Sequence, residues 1–398
     1  MDTWRALCNS EPLYAEAEIM NAFSVERVEK RPPDLVFLAV LVTLAGVGLS
    51  MLFSSSYFRA DHLFSDPLYF FRRQFIWVLL GSASAVVAAR IPLSLLQKSV
   101  PLQILVSFVL MVMTFVPGIG AQFLGARRWI FLFGYSFQPS ELVKLTAVIY
   151  LAYILARKRD AMDDAVNSLL PPVIVVGIFA TLIYLQNDFS TSVFLIFIAV
   201  IMFFIAGVPI RYFLSLIAMV TPLSVLLLLT REHRVMRLLA FLDPTLDPSG
   251  TGYQVLAAKR ALLHGGLWGA GIGQSSMKFG NLPEAHSDFV FAVVGEETGL
   301  LGILLVITLF ALFAYRGYLV AVRSKDAFSS YLAFGLTTCV VFQALLNMAV
   351  VSGLVPATGI PLPFFSSGGS SVFVTLAMCG LLLNLSRHQD RTEEELYG

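Results

Sequence analysis

Charge is scarce in this chain. Its 398 residues include 27 Lys or Arg and 26 Asp or Glu, 13% together, where soluble domains carry about 25%. So little charge cannot cover a globule with polar surface. That excludes an ordinary water-soluble fold and makes lipid the solvent over much of the length. The two signs nearly cancel, at a formal net charge of +1, so the chain lacks the basic field that a nucleic-acid partner requires. Cysteine is almost missing. Cys8, Cys339 and Cys379 form no CxxC pair, and the last two lie in apolar runs, leaving neither a disulfide scaffold nor a zinc site. HExxH, GxSxG, P-loop and EF-hand patterns do not occur, so serine and cysteine nucleophile arrangements find no support. No cleavable signal peptide is visible.

What the chain has in abundance is hydrophobic sequence, 57% of its residues. Apolar runs recur at about residues 34–54, 75–94, 99–117, 138–156, 169–186, 189–208, 212–230, 289–315, 328–351 and 367–386, each near the roughly 20 residues a membrane span needs. The runs lack the period-two alternation of a barrel, and helices are the other structure that satisfies a backbone in lipid. The expected fold is therefore an all-α polytopic membrane protein of about ten transmembrane helices. An even number of spans puts both termini on one side. Arg31, Arg90, Lys98, Arg157, Lys158, Arg159, Arg211, Arg316, Arg323, Lys325 and Arg387 make that side the cytoplasm. Residues 1–33 read as a flexible cytoplasmic tail, 34–386 as the membrane domain and 387–398 as a cytoplasmic C-terminal tail. The opposite face holds segments 55–74, 118–137, 231–288 and 352–366, with 231–288 a large extracytoplasmic loop between helices seven and eight.

Those outer segments are rich in cations: Arg127, Arg128, Arg231, Arg234, Arg237, Lys259, Arg260 and Lys278. Long loops tolerate positive charge; as a set, these residues also suit an anionic ligand at the outer membrane face. The glycine-dense segment 263–273 allows tight turns and close backbone approach. Residues 352–371, apolar but broken by three prolines, read as a re-entrant or cavity-lining loop.

Several polar residues stand in costly places. Glu141 and Lys144 share one helix face at i, i+3 spacing inside the fourth run, either as a neutralised structural pair or as the wall of a polar cavity. Asp288 lies at the mouth of the eighth run. It reads equally as a helix cap or as a carboxylate whose desolvation makes it a better proton acceptor near neutral pH. Glu284 and His286 flank it, and the histidine reads as structural. Glu296 and Glu297, two turns deeper, demand buried partners, with a cation the default. Asp188 reads as a cap, and Asn347 as a bridge between helices.

Gly125 to Ile130, Phe137 to Lys144, Leu282 to Ala292, Gly295-Glu296-Glu297 and Leu354 to Ser371 together resemble the SEDS family, the shape, elongation, division and sporulation proteins FtsW, RodA and SpoVE. The doubled arginine and the Val-Gly-Glu-Glu stretch are more similar to the FtsW branch. The sequence departs from the family at 186–190, which read Gln-Asn-Asp-Phe-Ser, and at Thr298 after the paired glutamates. The resemblance implies a ten-helix SEDS fold and a peptidoglycan glycosyltransferase of the bacterial inner membrane at the division septum. It would use lipid II as donor and acceptor, with Asp288 as general base. Arg127, Arg128, Lys144 and Lys278 become candidates for the pyrophosphate. Glu141, Glu284, His286, Ser366, Ser367 and Gly368 join the expected substrate site. A divalent cation, Mg or Mn, held by Glu141 and Asp288 is the alternative source of positive charge, with no organic cofactor. The implied partners are a class B penicillin-binding protein and other divisome proteins. A lipid II flippase or a noncatalytic scaffold is the competing reading.

Overall fold

The computed structural model describes residues 32–123, 126–132, 134–159, 168–247, 250–275 and 286–388. Most of both expected tails, and the candidate site residues Lys278 and Glu284, lie outside the described residues. Pro33–Gly398 forms one compact unit.

Helices dominate: α1 (Leu35–Phe64), α2 (Tyr69–Ala88), α3 (Leu93–Lys98), α4 (Val100–Met113), α5 (Pro139–Arg157), α6 (Leu170–Leu185), α7 (Phe189–Ile205), α8 (Ile210–Leu229), α9 (Glu232–Leu242), α10 (Thr251–Gly265), α11 (Val290–Val322), α12 (Ala327–Val351) and α13 (Gly369–Leu385). By length and composition α1, α5, α8, α11, α12 and α13 can cross a membrane, and α4, α6 and α7 are shorter apolar helices. Each expected run overlaps a described helix, the run 75–94 spanning most of α2 and reaching into α3, but the ends differ. The first run was bounded where polar residues begin, whereas α1 continues through Arg59, Asp61 and His62 to Phe64. It stops only at Ser65, whose φ of 51° lets its N–H reach the Asp61 carbonyl. Polarity ends an apolar run; it does not end a helix. The outer segment 55–74 is thus mostly helical. Likewise α11 runs past Arg316 to Val322.

The deepest packing lies in α5, α12 and α13, where Val143, Val148, Leu332, Leu336 and Leu382 are fully buried. Helix α8 is the opposite case, since none of its described side chains is buried. Helix α1 begins at Asp34, which caps Phe37 N–H at 2.9 Å and meets Arg316 Nη1 at 3.4 Å. That contact ties the start of α1 to the far part of α11.

Two features add to the all-α expectation. Residues 120–137 form a three-stranded antiparallel sheet in the order β1 (Gly120–Phe123), β2 (Ala126–Leu132), β3 (Tyr135–Phe137). Its second turn passes through Gly134 at φ 82°. The described residues of the expected loop after α8 include α9, α10 and the glycine-dense segment, which packs on α11. There Gly299 breaks the helix at φ 66°. Ala270 and Gly271 N–H reach the Glu296 and Glu297 carbonyls at 2.8 and 3.0 Å, and Leu300 N–H reaches Gly266 at 2.9 Å. A Cβ on Gly299 would lie 2.4 Å from Gly269 N. Gly299→Ala is therefore expected to destabilise the fold by about 1–3 kcal/mol, since it adds left-handed strain to a backbone clash. A lowered apparent Tm in detergent checks this.

Candidate active site

At one end of the bundle helix side chains hold the described parts of the connections, as where Gln74 Nε2 of α2 donates to the Ser366 carbonyl (3.1 Å) and Asn347 Nδ2 of α12 donates to the Asp288 carbonyl (2.8 Å). Within this end lies a polar cavity of about 190 Å³. Its walls include Arg128, Gln138, Glu141, Lys144, Asp188, Ser287, Asp288 and Gly359.

Each wall has a local cause. Pro139 opens α5 where a missing N–H costs nothing, which places Glu141 in the first turn and Lys144 one turn on. Both are buried, and their ion pair measures 2.9 Å. Lys144 also donates to Gln343 Oε1 at 2.7 Å and stands over the Phe194 ring at 5.4 Å. Asp188 caps α7 by accepting from Thr191 N–H (3.2 Å), and its other oxygen meets Gln138 Nε2 (3.4 Å) and Arg128 Nη1 (3.7 Å). It is thus a cap, as its sequence suggests, and also a wall of the cavity. Side chains alternate along a strand, so of the doubled arginine on β2, Arg127 is exposed and Arg128 turns inward, where it also donates to the Asn187 carbonyl.

Asp288 sits two residues before α11. The residue at the helix's N-cap position is Phe289, not Asp288. Asp288 Oδ1 accepts from Ser287 Oγ at 3.1 Å, and Oδ2 is close to Gly359. Asn347 holds this arrangement by donating to the Asp288 and Ile360 carbonyls at 2.8 and 2.9 Å, while Gln343, one turn earlier, donates to the Pro361 carbonyl at 3.0 Å. The proline-broken loop is therefore cavity-lining, with Ile360, Leu362, Phe364 and Phe365 buried beneath it.

Other candidates lie elsewhere. His286 is buried against the Phe70 ring at 4.6 Å. Ser366 Oγ accepts from Leu362 N–H at 2.7 Å, Ser367 N–H donates to the His286 carbonyl at 2.9 Å, and Gly368 precedes α13. These order the loop behind the cavity. Glu297 accepts from Ser54 Oγ at 2.7 Å; Glu296 accepts from Ser275 Oγ and meets His264 at 3.0 Å. Gln343 was not legible as a site residue. Arg237 was visible only as one outer cation among eight. Burial, and next the charge of Arg128, hold its guanidinium below the ordinary arginine value, while Asp288 and Asp188 pull the other way. It remains cationic at neutral pH and belongs to the same electrostatic site.

Among the described residues no three His, Cys, Asp or Glu groups converge to hold a metal ion. Glu141 and Asp288 nevertheless share the cavity, and a magnesium-type ion carried on substrate phosphates needs only one or two protein carboxylates. Glu141 is, however, already paired with Lys144 at 2.9 Å.

A multi-pass membrane bundle that encloses acids and cations in a cavity at one end is the class these elements define. The chain belongs to the FTSW_RODA_SPOVE family of cell cycle proteins, whose family model it matches over residues 34–391. It is 39% identical over 353 residues to "Probable peptidoglycan glycosyltransferase FtsW" of Borreliella burgdorferi, covering 88% of this chain and 96% of that one. It is 34% identical to "Stage V sporulation protein E" of Bacillus subtilis, covering 90% and 98%. Among solved structures it resembles a chain from a peptidoglycan synthase complex that coordinates polymerization and crosslinking (TM-score 0.74, 26% identity, 90% and 99% covered). It also resembles Thermus thermophilus RodA (TM-score 0.65, 25% identity, 90% and 98% covered).

Proposed function

We propose that this chain is a peptidoglycan glycosyltransferase of the bacterial plasma membrane. It polymerises lipid II into β-1,4-linked glycan at the division septum, beside a class B penicillin-binding protein and other divisome proteins. The observation that carries the reading is the single cavity shared by Asp288, the Glu141–Lys144 pair and Arg128, in a chain 39% identical to a relative named for that activity.

The chemistry asks for three things. A proton must leave the GlcNAc 4-hydroxyl of the acceptor as its oxygen attacks the donor anomeric carbon; Asp288 is the base. Negative charge must be met on the departing pyrophosphate; Arg128 and Lys144 supply it. Attack opposite the leaving group inverts the α-linked donor to the β product. Glu141 fixes Lys144; the alternative is that Glu141 and Asp288 would hold a divalent cation, whose part would be to neutralise the diphosphate. Both termini lie in the cytoplasm on this reading, with the cavity outside.

The test is reconstitution of the purified chain with lipid II, with and without its cognate penicillin-binding protein. A ladder of glycan chains on a gel is the expected result. Movement of labelled lipid II between leaflets with no polymer would replace this reading by the flippase.

A further inference from the structure

The end of the bundle away from the reaction cavity carries a separate cavity. Helix α5 runs from Glu141 in the reaction cavity to Arg157, and α12 runs back from its cap at Asp326 to Asn347, which holds Asp288. The 19 residues of α5 rise about 28 Å, close to the thickness of a bilayer's hydrocarbon core. The far ends of α5 and α12 therefore reach the other membrane–water interface, at the level of lipid phosphates. There a cavity of about 430 Å³ opens between α3, α5 and α12, with Gln97, Lys98, Tyr153, Arg157, Asp326 and Phe328 in its walls.

Lys98 and Arg157 each stand in the last turn of their helix, where the macrodipole and the positive-inside rule both favour a cation. Those rules account for the charges one at a time. They do not bring two cations from different helices to one cavity. Among the described residues neither side chain makes an ion pair. The Arg157 guanidinium is held in place, with Cζ 5.3 Å from the Tyr153 ring centre and Nη1 donating to Tyr153 Oη at 2.5 Å. Its Nε and Nη2 have no acceptor among the described residues and are left for an anion. Asp326 is the acid in the wall, and both its oxygens are engaged in capping α12. Oδ1 accepts from Ser329 N–H at 3.0 Å and Oδ2 from Ser329 Oγ at 2.6 Å.

We propose that this cavity is a headgroup site for an anionic phospholipid of the leaflet opposite the reaction cavity, with its phosphate held between Lys98 and Arg157. The guanidinium fork and the lysine ammonium both suit phosphate oxygens, and basic pockets between spanning helices on the cytoplasmic side take acidic lipid headgroups. What flanks the cavity selects a lipid over a soluble phosphate. Leu95, one turn before Lys98, is 56% exposed, and Leu102, one turn after it, is 61% exposed. Ser99 between α3 and α4 keeps right-handed helical angles (φ −84°, ψ −3°), so the two leucines continue one apolar stripe. Acyl chains lie along that stripe below the headgroup, and Tyr153 stands at the level where amphipathic rings prefer the interface. The site depends on the membrane placement of the bundle, not on the transferase reading. A lipid seated there ties α3 to α5 and abuts α12. The other ends of α5 and α12 bring Lys144 and Gln343 together at 2.7 Å, so the inner leaflet braces the helices that frame the reaction cavity.

The probe is phosphatidylglycerol, titrated into the full chain in detergent and read by native mass spectrometry, with phosphatidylcholine and glycerol 3-phosphate as the other arms. Phosphatidylglycerol is expected to bind more tightly than either and to raise the apparent Tm. Lys98→Gln combined with Arg157→Gln is expected to weaken phosphatidylglycerol about tenfold or more and to remove the rise in Tm. Arg211→Gln takes a cation from the start of α8, outside this cavity, and is expected to leave both readouts unchanged. Lys98 and Arg157 are exposed, so the double variant should fold; if it does not, Lys98→Gln decides alone, with an expected loss of about fivefold. Wild-type binding by the cavity variants, or an equal loss in Arg211→Gln, overturns the site in favour of diffuse surface charge. Glycerol 3-phosphate binding as tightly as the lipid overturns the lipid assignment and leaves a site for soluble phosphate.

Discussion

Asp288→Asn is expected to lower lipid II polymerisation by about 10²–10⁴-fold, the usual contribution of a positioned general base. The substitution keeps the size and planarity of the side chain. It leaves the Asn347 bond to the residue 288 carbonyl intact, since that bond is to the main chain. The variant should therefore fold, bind its partner and bind the donor carrier, and lose only the rate. Glycan formed per minute by the reconstituted complex is the measurement. A wild-type rate would move the base to another carboxylate on the same wall, where Glu141 and Asp188 are the alternatives.

The second large effect concerns stability. Lys144→Met removes the cation from a buried pair and leaves Glu141 uncompensated, at an expected cost of about 3–5 kcal/mol. Glu141→Gln combined with Lys144→Met removes both charges and should recover much of the loss, because the pair repays little more than its own desolvation. Apparent melting temperatures of the two variants and of Glu141→Gln give the coupling. Activity should not recover in the double variant, since the positive charge facing the leaving group is gone. Full recovery of polymerisation would reduce the pair to structural filling.

Much of this was legible in the sequence because lipid imposes simple rules. Runs of apolar residues near span length have few alternatives to helix, and the Glu141–Lys144 spacing already put both groups on one face. The proline-broken stretch at 352–366 announced backbone that must be covered, and buried Phe364 and Phe365 cover it. The rest was hidden for reasons equally physical. Arg234 and Arg237 read as ordinary loop cations, because nothing local says that α9 folds back over Phe189. Gln343 lies within an apolar helix, and its role depends on Lys144 and Pro361, distant in sequence. The short sheet at 120–137 escaped because its strands are only three to seven residues long and sit among much stronger helical signals. Helix ends were misjudged wherever polarity was taken for a terminator.

The three acids of the cavity share a placement whose effect reaches past their individual contacts. Glu141 is in the first turn of α5, Asp188 is the cap of α7, and Asp288 lies just ahead of α11. Each faces the end of a helix where unpaired amides present a partial positive charge of roughly half a unit. Each partial charge offsets part of the carboxylate beside it, so the three acids repel an incoming polyanion less than their number suggests.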